Sequence, residues 1–218
     1  MNQTARIAFL TLATATLLGV APAAAKEVVR SFRQRISVGA ANRILLDFPV
    51  GEVQVEGWAS RQVDLDVKIT CDRPTSRCEN AARELRLVYN GEKGQLAVKV
   101  KDWPHWGGAR GLNVRATVRV PRDLALRANL GVGELTIQGT AGDLTADLGV
   151  GDVHVTLPKE AIGSARLDAG IGEAVLLAAG HRYESSGLIA RKLSWDKGRG
   201  RSRVKVDCGV GEIQVTLA

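Results

Sequence analysis

The chain has 218 residues and a formal charge of +7, with 45% hydrophobic and only 4% aromatic residues. Apart from one N-terminal stretch, no apolar run approaches the roughly 20 residues that cross a bilayer as a helix, so an integral membrane protein is not expected. No spacing among its three histidines and three cysteines argues for a metal-ligand set or a catalytic arrangement.

Residues 1–25 read as a secretory signal peptide. Arg6 supplies the positive start, Ile7 to Val20 an apolar stretch of about 14 residues, and Ala23-Ala24-Ala25 the small residues before cleavage. No cysteine follows that site, which argues against a lipid anchor. Residues 26–218 then form one exported domain, expected in the periplasm or outside the cell. An irregular capping part is expected over 26–111 and regular repeats over 112–218.

Within the capping part, "VVRSFRQRISV", "NRILLDF", "EVQVEGW" and "RQVDLDVKIT" alternate apolar and polar residues and predict strands. Cys71 and Cys78 flank the polar segment "DRPTSR". In an oxidising compartment this spacing predicts a local disulfide, since no further Cys or His lies nearby to complete a metal site. "SRCENAAREL" at 76–85 predicts one short helix, and "LRLVYN" and "QLAVKVK" flank "GEKG" as a hairpin. "LNVRATVRVP" and "LALRANL" lead into the repeats.

One nine-residue pattern then recurs: "NLGVGELTI" at 129–137, "DLGVGDVHV" at 147–155, "DAGIGEAVL" at 168–176 and "DCGVGEIQV" at 207–215. A looser copy, "DFPVGEVQV", stands at 47–55. The four strong copies start 18, 21 and 39 residues apart, so a degenerate copy is expected near "ESSGLIARKL" at 184–193. The glycine pairs Gly131/Gly133, Gly149/Gly151, Gly170/Gly172 and Gly209/Gly211 read as structural corners, where glycine accepts positive φ and lets backbones approach. The Val or Ile between them is expected to face the core. After the acidic residue, apolar side chains, many of them β-branched, alternate as in a half-buried strand. Cys208, at a place held by Leu130, Leu148 and Ala169 in the other copies, reads as a small buried residue. Internal periods near 20 residues point to an all-β solenoid of stacked rungs, with a β-sandwich as the alternative.

The glycines fit no ligand motif. A dinucleotide fingerprint needs a third glycine and a helix, whereas Thr136, His154, Val175 or Gln214 stands at that place and a strand follows. A calcium-binding nonapeptide roll needs tighter spacing. Stacked carboxylates remain, and neighbouring Lys or Arg can relieve their repulsion without a metal. No cofactor is expected.

Two stretches stand apart. "KDWPHWGGARG" at 101–111 places Trp103, His105 and Trp106 among glycines. "RKLSWDKGRGRSRVK" at 191–205 carries Arg191, Lys192, Lys197, Arg199, Arg201 and Arg203 around Trp195. Aromatic rings beside cations suit an anionic envelope polymer or a glycan. The plainer alternative is a pair of exposed loops whose tryptophans cover an apolar edge. Nucleic acid is not an expected partner of an exported protein.

At these glycine repeats the chain resembles the bacterial toast-rack family of adhesin-like β-strand repeat proteins, a domain of unknown function. The resemblance runs over roughly 45–218 and is strongest after 128. It implies a right-handed β-solenoid in exported or envelope proteins and brings no catalytic or ligand residues with it. The expected function is non-enzymatic binding or scaffolding of envelope components. The alternatives are a polysaccharide-active β-helix enzyme and a self-associating structural protein. The last strand, "GEIQVTLA", is expected to leave an open edge for pairing with another chain.

Overall fold

In a computed structural model, residues 28–73, 75–104, 111–185 and 191–218 are described. The expected signal peptide, His105 and Trp106 fall outside them. The elements in chain order are β1 (Val28–Ser37), β2 (Arg43–Trp58), β3 (Gln62–Cys71), α1 (Ser76–Glu84), β4 (Arg86–Glu92), β5 (Gln95–Lys101), β6 (Leu112–Pro121), β7 (Ala125–Gln138) and β8 (Leu144–Leu157). They continue through a 3-10 turn (Lys159–Ala161) to β9 (Ile162–Ala178), β10 (His181–Glu184), β11 (Arg191–Trp195) and β12 (Ser202–Leu217). Among the described residues the protein is therefore all-β with one short helix. The Thr75 hydroxyl caps that helix by accepting from the Cys78 amide at 3.3 Å.

The five copies of the glycine pattern lie in β2, β7, β8, β12 and β9. These strands pair in that order, all parallel and in register. Each is bent at its glycines into two arms, and "NRILLDF" and "EVQVEGW" are the two arms of the single strand β2. Pairing resumes within the bend after the first glycine position of each motif, which the register skips: Gly51 lies beside Gly133, Gly133 beside Gly151, and Gly211 beside Gly172. The corners thus form a column, as the spacing implies. The chain does not climb the column in simple order, because β12 is inserted between β8 and β9.

Register fixes the core. Phe48, Leu130, Leu148, Cys208 and Ala169 stack on one arm, and Val53, Leu135, Val153, Ile213 and Ala174 on the other, all buried. Cys208 is a buried member of its row, as read from the sequence. The twelve strands belong to one sheet folded along the glycine column, and one apolar core runs from Ile36 to Leu217 between its arms.

The two ends of the stack differ. Beside β2 the arms diverge: β5 and β4 extend the first arm, while β6, β3 and β1 extend the second. Beside β9, β10 covers the second arm and β11 the first, both antiparallel. The middle of the expected degenerate copy, 186–190, lies outside the described residues; the strands on either side of it, β10 and β11, run antiparallel to β9 rather than as a further parallel rung. The expected open edge at the last strand is corrected too: β12 is paired on both sides.

Stacking explains both glycine columns. A Cβ on Gly149 would lie 2.4 Å from the Gly131 carbonyl oxygen, and one on Gly151 would lie 1.8 Å from that of Gly133. Gly151 also has φ of 130°. The residue between the glycines does not face the core. Val132 and Val150 are each 47% exposed, Val210 43% and Ile171 57%. Side chains from the two arms already fill the inside of the bend, so the apex residue points away from it.

The disulfide joins Cys71 at the end of β3 to Cys78 in α1, as the spacing predicts. Closing this loop stabilises by about 2.5 kcal/mol on the chain-entropy account. Replacing both cysteines by serine should lower the urea-unfolding free energy by about that amount. Gly151→Ala should cost more than about 3 kcal/mol, because the new methyl meets backbone and sits at a φ that penalises side chains. Gly91→Ala, where a methyl meets nothing within 4 Å, should change stability by less than about 0.5 kcal/mol. Chemical denaturation of the three variants compares them directly.

Candidate functional site

The basic stretch is held against the start of β9 by its glycines. The Gly198 amide donates to the Gly163 carbonyl at 3.1 Å, and the Gly200 amide to the Ile162 carbonyl at 3.3 Å. A Cβ on Gly198 would lie 2.0 Å from the Ile162 oxygen, and one on Gly200 would lie 2.0 Å from the Ala161 carbonyl. Close approach therefore demands glycine at alternate positions. Lys197, Arg199 and Arg201, standing between and beyond them, are exposed. None of the three forms an ion pair among the described residues.

Lys197 and Arg199 line an open cleft of about 710 Å³ at the β9 end of the stack, together with Lys159, Glu160, Tyr183 and Trp195. Its cations outnumber its single acid. The Lys197 ammonium lies 5.3 Å from the centre of the Tyr183 ring, within range of a cation–π contact. Trp195 closes β11 and is buried, so it forms part of the cleft wall rather than an open stacking platform. The tryptophan thus covers core, as the plainer sequence alternative holds, while the cations beside it stay in solvent.

The other candidates lie elsewhere. Lys192 pairs with Asp168 at 3.4 Å. The Arg203 amide donates to Asp143 at 2.9 Å, and its guanidinium lies 3.7 Å from the same carboxylate, away from the cleft. Arg191 is half-buried. Trp103 packs half-buried against the core, and its companion Trp106 is outside the described residues. Tyr183 and Lys159 were not legible as site residues, because each lies distant in sequence and only the fold brings it to the basic loop.

The corner carries two acidic columns. In the first, each carboxylate has a cation: Lys99 on Asp47 at 3.3 Å, Arg127 on Asp147 at 2.8 Å, Lys205 on Asp207 at 2.6 Å and Lys192 on Asp168 at 3.4 Å. The hydrogen bond to Asp207 holds the Lys205 ammonium above its ordinary pKa. The second column runs Glu52, Glu134, Asp152, Glu212 and Glu173. Arg115 pairs with Glu52 at 2.7 Å and Arg182 with Glu173 at 3.8 Å, at its two ends. Glu134, Asp152 and Glu212 between them have no ion pair among the described residues. Among those residues no group of three or more His, Cys, Asp or Glu is arranged to hold a metal. No helix among them is long and apolar enough to cross a membrane.

No family model matches the sequence, and no curated protein matches it. In three dimensions the chain is similar to a "putative cell adhesion protein" from Clostridium sporogenes, with a TM-score of 0.55 at 15% identity, over 87% of this chain and 99% of that one. That likeness shows a shared fold. A "putative lipid binding protein" from Parabacteroides distasonis aligns at 11% identity over 86% of this chain and 96% of that one, with a TM-score of 0.28. A "putative adhesin" from Bacteroides fragilis does so at 11% identity over 85% and 97%, with a TM-score of 0.24. These two superpositions are too loose to carry a structural argument.

Burial pushes the Cys208 thiol above its ordinary pKa, and its Sγ donates to the Gly151 carbonyl at 3.4 Å. The thiolate fraction at pH 8 is therefore small and shielded. Ellman's reagent should label native protein at pH 8 at least about a hundredfold more slowly than urea-unfolded protein, followed by absorbance.

Proposed function

We propose that the protein is an exported, non-enzymatic β-repeat protein of the cell envelope that binds an anionic envelope polymer or glycan. The stacked strands would serve as a right-handed solenoid scaffold, with residues 26–111 as its irregular cap. One observation carries this reading: the Lys197-Gly198-Arg199-Gly200-Arg201 loop is pinned to β9 through its glycines, with Lys197 and Arg199 presented beside Tyr183 and Trp195 and Arg201 exposed beyond them. A pre-ordered row of unpaired cations loses little conformational freedom on binding and attracts a polyanion over several ångströms. The apparent signal peptide supports an envelope setting, and the cell adhesion description of the similarly folded Clostridium protein agrees with a binding role.

The test is co-sedimentation of the protein with purified lipopolysaccharide across salt concentrations. The protein should bind at low salt and be released as ionic strength rises. Changing Lys197, Arg199 and Arg201 together to serine should weaken binding by roughly tenfold or more. Binding that is absent, or that ignores both salt and these changes, would remove the proposal.

A further inference from the structure

The corner displays a feature that neither the core nor the basic cleft uses. Val50, Val132, Val150, Val210 and Ile171 stand side by side, one per strand, along the outside of the bend. Four of them are between 43% and 57% exposed. At about 4.8 Å between strands, the row extends for about 19 Å. The fold does not require apolar side chains there. The glycines on either side are fixed by backbone contact, but an outward residue at the apex meets solvent, and threonine would keep the same β-branched backbone preference. A continuous β-branched ridge on an outer surface is a feature of interaction sites.

Charge says what covers it. The carboxylates of Asp47, Asp147, Asp207 and Asp168 flank the ridge on one side and already carry their own lysines and arginine. On the other side Glu134, Asp152 and Glu212 have no cation among the described residues. A second copy laid with its Glu column over this one would bring carboxylates against carboxylates, and an anionic membrane surface would be repelled in the same way. A partner with apolar side chains bordered by cations satisfies both the valines and these carboxylates, of which Asp152 has only the Glu212 amide as a partner among the described residues, at 3.2 Å. The repeat favours a helix: an α-helix rises about 5.4 Å per turn, near the strand spacing, whereas same-face residues of an extended strand recur at about 6.8 Å. About 13 residues of helix match the length of the ridge. Lysine or arginine stems can lie along the valines while their heads reach the carboxylates.

We propose that the exposed Val/Ile ridge of the glycine corner, with its unpaired Glu134–Asp152–Glu212 column, docks a cationic amphipathic α-helix of a partner polypeptide. The occupant is opposite in charge to the polyanion of the basic cleft, so the two surfaces can be engaged together.

The probe is a fluorescein-labelled 14-residue leucine–lysine helical peptide, titrated with the protein and read by anisotropy. Two triple variants separate the contributions: Val132→Thr/Val150→Thr/Val210→Thr, and Glu134→Gln/Asp152→Asn/Glu212→Gln. Circular dichroism melts check that both remain folded. Each should weaken peptide binding by roughly tenfold or more, and the carboxamide variant should also lose most of the salt dependence. Serine changes at Lys197, Arg199 and Arg201 should leave peptide binding as it was, which keeps this result separate from the polyanion reading. The proposal is overturned if the peptide does not bind at millimolar concentration, or if the threonine variant binds as well as the parent. It is equally overturned if spermine displaces the peptide from parent and threonine variant alike, since binding is then charge alone. Concentration-dependent dimerisation that the threonine changes abolish would make the ridge a self-interface and also overturn it.

Discussion

Backbone against backbone at the bend is the contact from which the rest follows. With Gly133, Gly151 and Gly211 seated on the carbonyls of neighbouring strands, no side chain can intervene, and successive strands must repeat one outline. That repetition stacks Phe48, Leu130, Leu148 and Cys208 on one arm and Val53, Leu135, Val153 and Ile213 on the other. Burial of these rows stabilises the fold, and the bend lets one sheet enclose a core between its own arms. The same constraint turns each outward position into a column, so one residue choice made five times becomes a stripe of charge or of apolar surface.

Glycine serves a second purpose at the β9 end. Gly198 and Gly200 bring the basic loop onto Ile162 and Gly163, which leaves Arg199 between them exposed at the cleft. Close approach builds the column at the corner and presentation at the loop, with one physical cause. The two resulting surfaces carry opposite charge. A scaffold of parallel strands can keep them apart, because each column is fixed by register and not by a mobile loop.

Much of the fold was legible in the sequence because period-two alternation and paired glycines have a direct steric meaning. The limits are equally physical. Strand direction is invisible to alternation, which reads alike both ways; hence a further copy was expected near 184–193, but the antiparallel course of the flanking strands β10 and β11 was not. Stack order was hidden because strands with the same motif can pair with any other, and only the closed fold places β12 between β8 and β9. The apex valine was misread through parity. In "NLGVGELTI" it shares the parity of Leu130, which is buried, and of Glu134, which is exposed, and the flip between arms could fall on either side of it. The alternate glycines of "KGRGR" were in view, but only the β9 backbone shows what they touch. Tyr183 and Lys159 reached the cleft by topology, with no local signal.

The central claim is that the corner is continuously paired backbone and not a hinge between two independent arms. Amide hydrogen exchange at Gly133, Gly151, Gly211 and Gly172, followed by NMR, measures this directly. Continuous pairing predicts that these amides exchange as slowly as those of Val153 and Ile213 within the arms, through opening of the whole stack. Exchange at the corner about a hundredfold faster than in the arms, through local opening, would contradict it.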